Sequence, residues 1–157
     1  MEYTYYKFLH LFIVVLFLGN ITIGHFWMHI AHKSRDIGFI NHTVKGKRKT
    51  DRFLTLPGAL LMILFGLLAA AYGRIPLMGS GWIAWSITTF LVSGLAYSFG
   101  VIPLQKKIHK LSQDPANQAS FDWERYGKLY KAWETWEFIA LVTSWAAFVM
   151  MVLKIPN

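Results

Sequence analysis

The chain has 157 residues, of which 55% are hydrophobic, 17% aromatic and 15% charged, a balance too apolar for a water-soluble domain of this size. Lacking cysteine, it can form neither a disulfide nor a thiolate metal site, which excludes the small disulfide-stapled scaffolds. Its formal charge of +8 would raise nucleic acid as a partner in a soluble protein, but the placement of the charges argues for a membrane instead.

No Lys, Arg, Asp or Glu occurs from Phe8 to His32, from Phe53 to Gly73, from Ile75 to Gln105 or from Phe138 to Leu153. A helix needs about 20 largely apolar residues to cross roughly 30 Å of hydrocarbon. The first three stretches reach that length unaided. The fourth reaches it upstream through Trp136 and Glu137, with the carboxylate at the headgroup boundary, and downstream with Lys154 snorkelling. The expected fold is all-α, an integral-membrane four-helix bundle running up-down-up-down. It forms one domain over residues 1–157, with spans at about 8–32, 53–73, 82–104 and 134–153. The first span is much longer than the roughly 7–15-residue apolar core of a signal peptide and no small-residue cleavage site follows it, so it is expected to be retained.

Span one holds four of the six histidines, His10, His25, His29 and His32, and ionisable groups inside a membrane segment are functional candidates by default. His25, His29 and His32 are spaced i, i+4, i+7 and so share one helix stripe. Two histidines a turn apart with a carboxylate from another helix make a transition-metal site; Glu137 is the expected carboxylate, with Glu134 and His109 converging at the same end. The same stripe would also suit hydrogen bonding to lipid phosphate and water. His10 lies near the other end, roughly 22 Å from His25 at about 1.5 Å per residue, so the two cannot share an ion. It is a candidate ligand of haem b, with Met150, Met151 or Met78 at a similar depth as sixth ligand, the alternative being a histidine satisfied by a neighbouring helix. Asn20 and Thr22, deep in the same span, are expected to hydrogen-bond between helices.

The run Lys45-Gly46-Lys47-Arg48-Lys49 after span one reads as a positive-inside signal with attraction to anionic lipid, and no nucleic-acid role follows. Pro57 falls in the first turn of span two. The residues from Gly73 to Gly81 interrupt helices and are few, so spans two and three form an antiparallel hairpin. Gly66 with Ala70, and Gly94 with Ser98, place small residues a turn apart where helices can approach closely. Trp82, Trp85, Trp133 and Trp136 fit the aromatic belts at membrane interfaces. Pro103 marks the expected exit from span three. After the loop signal Asp114-Pro115-Ala116-Asn117, Asp122 is a plausible cap for a helix whose Tyr126, Leu129, Tyr130, Trp133 and Glu137 share one face, and this helix is expected to run on into span four.

There is no Walker loop, dinucleotide glycine fingerprint, nucleophile elbow or cysteine pair, which leaves hydrolases and nucleotide enzymes without support. The chain does resemble a family of small bacterial four-span predicted integral membrane proteins of unknown function. The markers are Leu9-His10 followed by Gly19, the basic exit His32-Lys33-Ser34-Arg35-Asp36, Asp51-Arg52-Phe53-Leu54-Thr55-Leu56-Pro57-Gly58 with Gly66 behind it, and Pro103-Leu104-Gln105. Trp133, the stretch from Ala140 to Met151 and Lys154-Ile155-Pro156 complete them. The first span is also similar to that of the bacterial HemJ-type haem-dependent protoporphyrinogen oxidases. That resemblance implies a haem-associated role for His10, and His29 or His32 as the loose match at the exit. The expected function is therefore a membrane protein binding haem b at His10 in a redox role. The alternatives are a non-enzymatic scaffold or partner subunit, as a homo-oligomer or with another membrane protein, and a histidine-cluster metal binder.

Thirteen basic residues fall in the two long connections and three elsewhere, which by the positive-inside rule puts both termini outside the bacterial inner membrane. A reporter active only outside the cytoplasm should give signal when fused after Asn157 and none when fused within Ala116-Asn117-Gln118. The reverse pattern would invert the orientation.

Overall fold

The computed structural model describes residues 1–77, 79–113 and 120–156. Met78, the Asp114-Pro115-Ala116-Asn117 loop signal and the two fusion positions named above lie outside the described residues. The described chain is helical: α1 (Glu2–Ser34), α2 (Ile37–Thr50), a π-helical turn (Asp51–Thr55), α3 (Leu56–Tyr72), α4 (Gly81–Leu95), a second π-helical turn (Ala96–Val101), α5 (Ile102–Leu111) and α6 (Trp123–Leu153). No strand occurs among the described residues. The π turns join their neighbours without a break, so four continuous rods result, and all four are long and apolar enough to cross a membrane.

Each rod is longer than its expected span, and in the second, third and fourth rods the extra turns gather at one end. There α1 meets α2, α2 meets α5, and α5 meets α6. Arg35, in the left-handed conformation at φ 53°, ends α1. Asp36 then caps α2, its Oδ1 accepting from the Phe39 amide at 3.0 Å. The first connection carried no helix expectation because its charges obscure the pattern, yet Ile37, Ile40 and Val44 recur on one buried face. The capping role of Asp122 is observed, with its side chain accepting from the Arg125 amide at 2.9 Å, and α6 runs unbroken into the fourth span.

Pro103 does not end the third rod. It sits in the first turn of α5, directly after the second π turn, and Pro57 stands likewise after the first. Proline lacks an N–H and its ring clashes with the carbonyl four residues back. A π turn immediately upstream changes that hydrogen-bonding register, so both rods pass through their prolines.

The larger core cluster lies at the extended end, where Met28, Ile40, Val44, Val101, Ile108, Tyr126, Tyr130 and Trp133 pack together. A smaller one, around Val14, Phe17, Leu18, Ile21 and Met62, fills the middle of the bundle. Elsewhere large apolar side chains such as Phe8, Leu60, Leu91 and Val152 face outward, as lipid contact requires. Trp133 is fully buried in the larger cluster, which corrects its reading as a belt residue, whereas Trp85 and Trp136 are exposed as a belt demands. Gly94 meets nothing within 4 Å and Ser98 is exposed, so that pair faces outward and does not pack the bundle.

Gly100 is buried against Trp136, and a Cβ built on it would fall on the indole ring. Backbone and ring on facing helices have little freedom to withdraw. Gly100→Ala should therefore destabilise the protein by about 1–3 kcal/mol, read as earlier thermal aggregation in detergent, while Gly94→Ala should leave the transition unchanged.

Candidate functional site

The buried face of the second rod carries Val44, Lys47, Asp51 and Thr55, residues three or four apart, so a lysine and an aspartate share the face that a bundle normally fills with apolar groups. Lys47 Nζ lies 2.9 Å from Glu137 Oε1 of α6 and 3.5 Å from Asp51 Oδ2, with side-chain exposures of 2%, 3% and 7% for Lys47, Glu137 and Asp51. Asp51 also accepts from Gln105 Nε2 at 3.1 Å and from Thr55 Oγ1 at 3.0 Å. Thr55 in turn accepts from Asn20 Nδ2 at 2.8 Å, as expected of Asn20. The network thus takes a side chain from each of the four rods. Thr22 bonds within its own helix, to the Leu18 carbonyl, and receives the Trp145 indole N–H across to α6.

Space for the ammonium is made by Gly24, where a Cβ would come within 3.1 Å of Lys47 Nζ. With all three groups ionised, two carboxylates face one ammonium and leave a net negative charge away from solvent. An uncompensated buried charge is costly, so the cluster is built to take up one further cation, of which the proton is the smallest. Beside the ion pairs, His25 Nδ1, Trp133 Nε1 and Glu137 Oε2 are buried without a hydrogen-bond partner in the protein, and the Tyr97 hydroxyl faces Asp51. Buried polar atoms are otherwise almost always paired, and a group of them marks a place where water or a ligand belongs.

The histidine stripe of α1 does face one neighbour, α6, but it meets aromatic rings there. His25 stacks on Trp133 with centroids 5.9 Å apart, and His32 lies flat on Tyr130 at 3.7 Å while its Nδ1 is 3.3 Å from Tyr126 OH. Tyr130 donates its hydroxyl proton to Glu134 Oε1 at 3.0 Å, so His29 Nδ1, 3.4 Å from the same hydroxyl, supplies the proton of that contact. Glu137, the expected fourth metal ligand, is engaged by Lys47 instead. His109 bonds Asn41 of α2 at 3.0 Å and does not join the stripe. Among the described residues no three His, Asp or Glu side chains gather as a metal site; of the expected set, Glu137 lies at Lys47 while His25 and His32 lie on rings of α6 and His29 faces Glu134. Helical spacing aligned the rings, while the partner helix offered tyrosine and tryptophan for them to lie on.

His10 sits between α1 and α3. Its Nδ1 is 2.8 Å from the Met62 carbonyl oxygen, which can only accept, so Nδ1 carries the proton and Nε2 the lone pair. Gly66 makes room for the ring, since a Cβ there would come within 3.0 Å of it. Met150 and Met151 stand half-buried near the end of α6.

The residues that reading the sequence missed are Lys47, Asp51, Tyr97 and Gln105. Lys47 belongs to the basic run Lys45 to Lys49, in which Lys45, Gly46 and Lys49 are exposed and Lys47 is buried. The available signal was the spacing of Lys47, Asp51 and Thr55, four apart in succession and in phase with Ile40 and Val44.

No curated protein and no solved structure matches this chain. A family profile does, over residues 4–155, nearly the whole length. A four-rod, membrane-capable helical chain that matches this profile from end to end belongs to the family described as predicted integral membrane protein (DUF2269).

Proposed function

We propose that this protein binds and exchanges a proton at the Lys47–Asp51–Glu137 site, as part of a proton-linked activity in the bacterial inner membrane. The observation that carries the reading is the burial of Lys47 between carboxylates from two rods, at 2.9 and 3.5 Å. Ionisable side chains enclosed within a membrane bundle are expensive to keep and commonly serve ion or proton pathways. Both π turns fall beside the site, through Asp51 and Thr55 in one and Tyr97 in the other, and such turns are frequent at functional positions. The excess of basic residues in the long connections supports an orientation with both termini outside and an up-down-up-down course.

Infrared difference spectroscopy of the purified protein tests this directly. Between about pH 9 and pH 5, a range wide enough to titrate a perturbed carboxyl, a protonated-carboxyl stretching band should grow as pH falls, and Glu137→Gln or Asp51→Asn should remove it. No band in the wild type would reduce the site to a static ion pair. Lys47→Met leaves two buried carboxylates unmatched and should cost about 3–5 kcal/mol, read as loss of the monodisperse peak in detergent.

A second reading rests on His10, whose Nδ1 bond to the Met62 carbonyl orients the ring as ligating histidines are oriented, with Nε2 left for a metal. The similarity of the first span to the haem-dependent oxidases supports haem b there, with Met150 or Met151 as sixth ligand. Haem would supply one-electron chemistry. Expression with ample haem should yield a Soret band in the reduced-minus-oxidised spectrum, lost in His10→Ala, and its absence from the wild type would end this reading.

A further inference from the structure

We propose that the groove between α1 and α6 at the extended end of the bundle is a binding site for an anionic phospholipid, with its phosphate held by Lys33 and Lys131. The groove has a volume of about 570 Å³ and is walled by Trp123 and Tyr130 together with both lysines. Its two carboxylates already have partners within the protein. Glu124 is paired with Lys128 at 2.7 Å, and Glu134 takes the Tyr130 hydroxyl at 3.0 Å and faces His29 at 3.6 Å. Lys33 and Lys131 form no ion pair among the described residues, and both are exposed. The groove therefore offers an anion two unspent ammonium groups beside aromatic walls.

Position separates a lipid from a free anion. Lys33 stands one residue beyond the charge-free stretch of the first rod, and Lys131 lies a turn before the fourth span as read from the sequence, so both sit at headgroup level. One turn further into the bundle on the same faces, at i−3 from His29 and i+4 from Glu134, stand Phe26 and Phe138, each 58% exposed. A polar groove opening onto an apolar track suits an amphiphile, its phosphate above and its acyl chain on the two phenyl rings. Basic pockets between membrane helices at the cytoplasmic side are established headgroup sites.

Delipidated protein in neutral detergent, titrated with phosphatidylglycerol and with phosphatidylcholine of the same chains, provides the test, with bound lipid counted by native mass spectrometry. About one phosphatidylglycerol should be retained per chain in preference to phosphatidylcholine, with a raised unfolding temperature. Lys33→Gln with Lys131→Gln, both on the surface and harmless to folding, should weaken that retention about 30-fold, and Lys45→Gln with Lys49→Gln should not. Equal loss in both double variants would show diffuse attraction to the whole basic end, and would overturn the site. Equal retention of the two lipids, or displacement of phosphatidylglycerol by millimolar inorganic phosphate, would overturn it as well.

Discussion

The structure depends on one constraint: a polar or charged group held among membrane helices must find its partner inside the bundle. Lys47 meets that demand through Glu137 and Asp51, and the rest of the network follows from the carboxylates needing partners of their own. Asp51 draws Gln105 from the third rod and Thr55 from its own, and Thr55 draws Asn20 from the first. Three charges and their bonds thereby set the relative rotation of all four rods. An ion cluster enclosed this way is poor evidence for stability, because well-packed apolar residues in place of all its charged members would usually serve as well, and this is why its presence argues for function.

The distribution of the core has the same origin. Within lipid, apolar side chains gain little by turning inward, because the surrounding tails are as apolar as they are. Large side chains along the middle of the rods are accordingly exposed. Beyond the hydrocarbon the ordinary hydrophobic effect returns, and there the helix extensions bury Trp133, Tyr126, Ile37, Ile40 and Ile108 almost completely. The bundle behaves as a membrane protein along most of its length and as a small soluble helical domain at one end, with the charged network at the seam between the two.

At that seam the histidines of α1 are instructive. Their common face, legible from spacing, is the face that meets α6, but their chemistry depends on what α6 brings. Flat stacking of His32 on Tyr130 and the hydrogen bonds of His29 and His32 to tyrosine hydroxyls turn a potential ligand row into a polar and aromatic seam. His10, by contrast, gives its Nδ1 proton to a carbonyl in the space left by Gly66, which leaves the lone pair on its second nitrogen.

By itself the sequence determined the number of rods, their length and their membrane character, because charge-free stretches of about 20 residues leave few other physical options. It also determined the Asp122 cap and the buried face of α6 through Tyr126, Tyr130, Trp133 and Glu137, since capping chemistry and helical period are local properties. Only the tertiary structure decided that Lys47 is buried beside exposed Lys45 and Lys49, that Pro103 is passed and not an end, and that Glu137 belongs to a lysine and not to histidines. Those outcomes rest on which residues from distant stretches meet, on the π turns that set their rotation, and on a net charge summed over two rods. No window of consecutive residues contains that information.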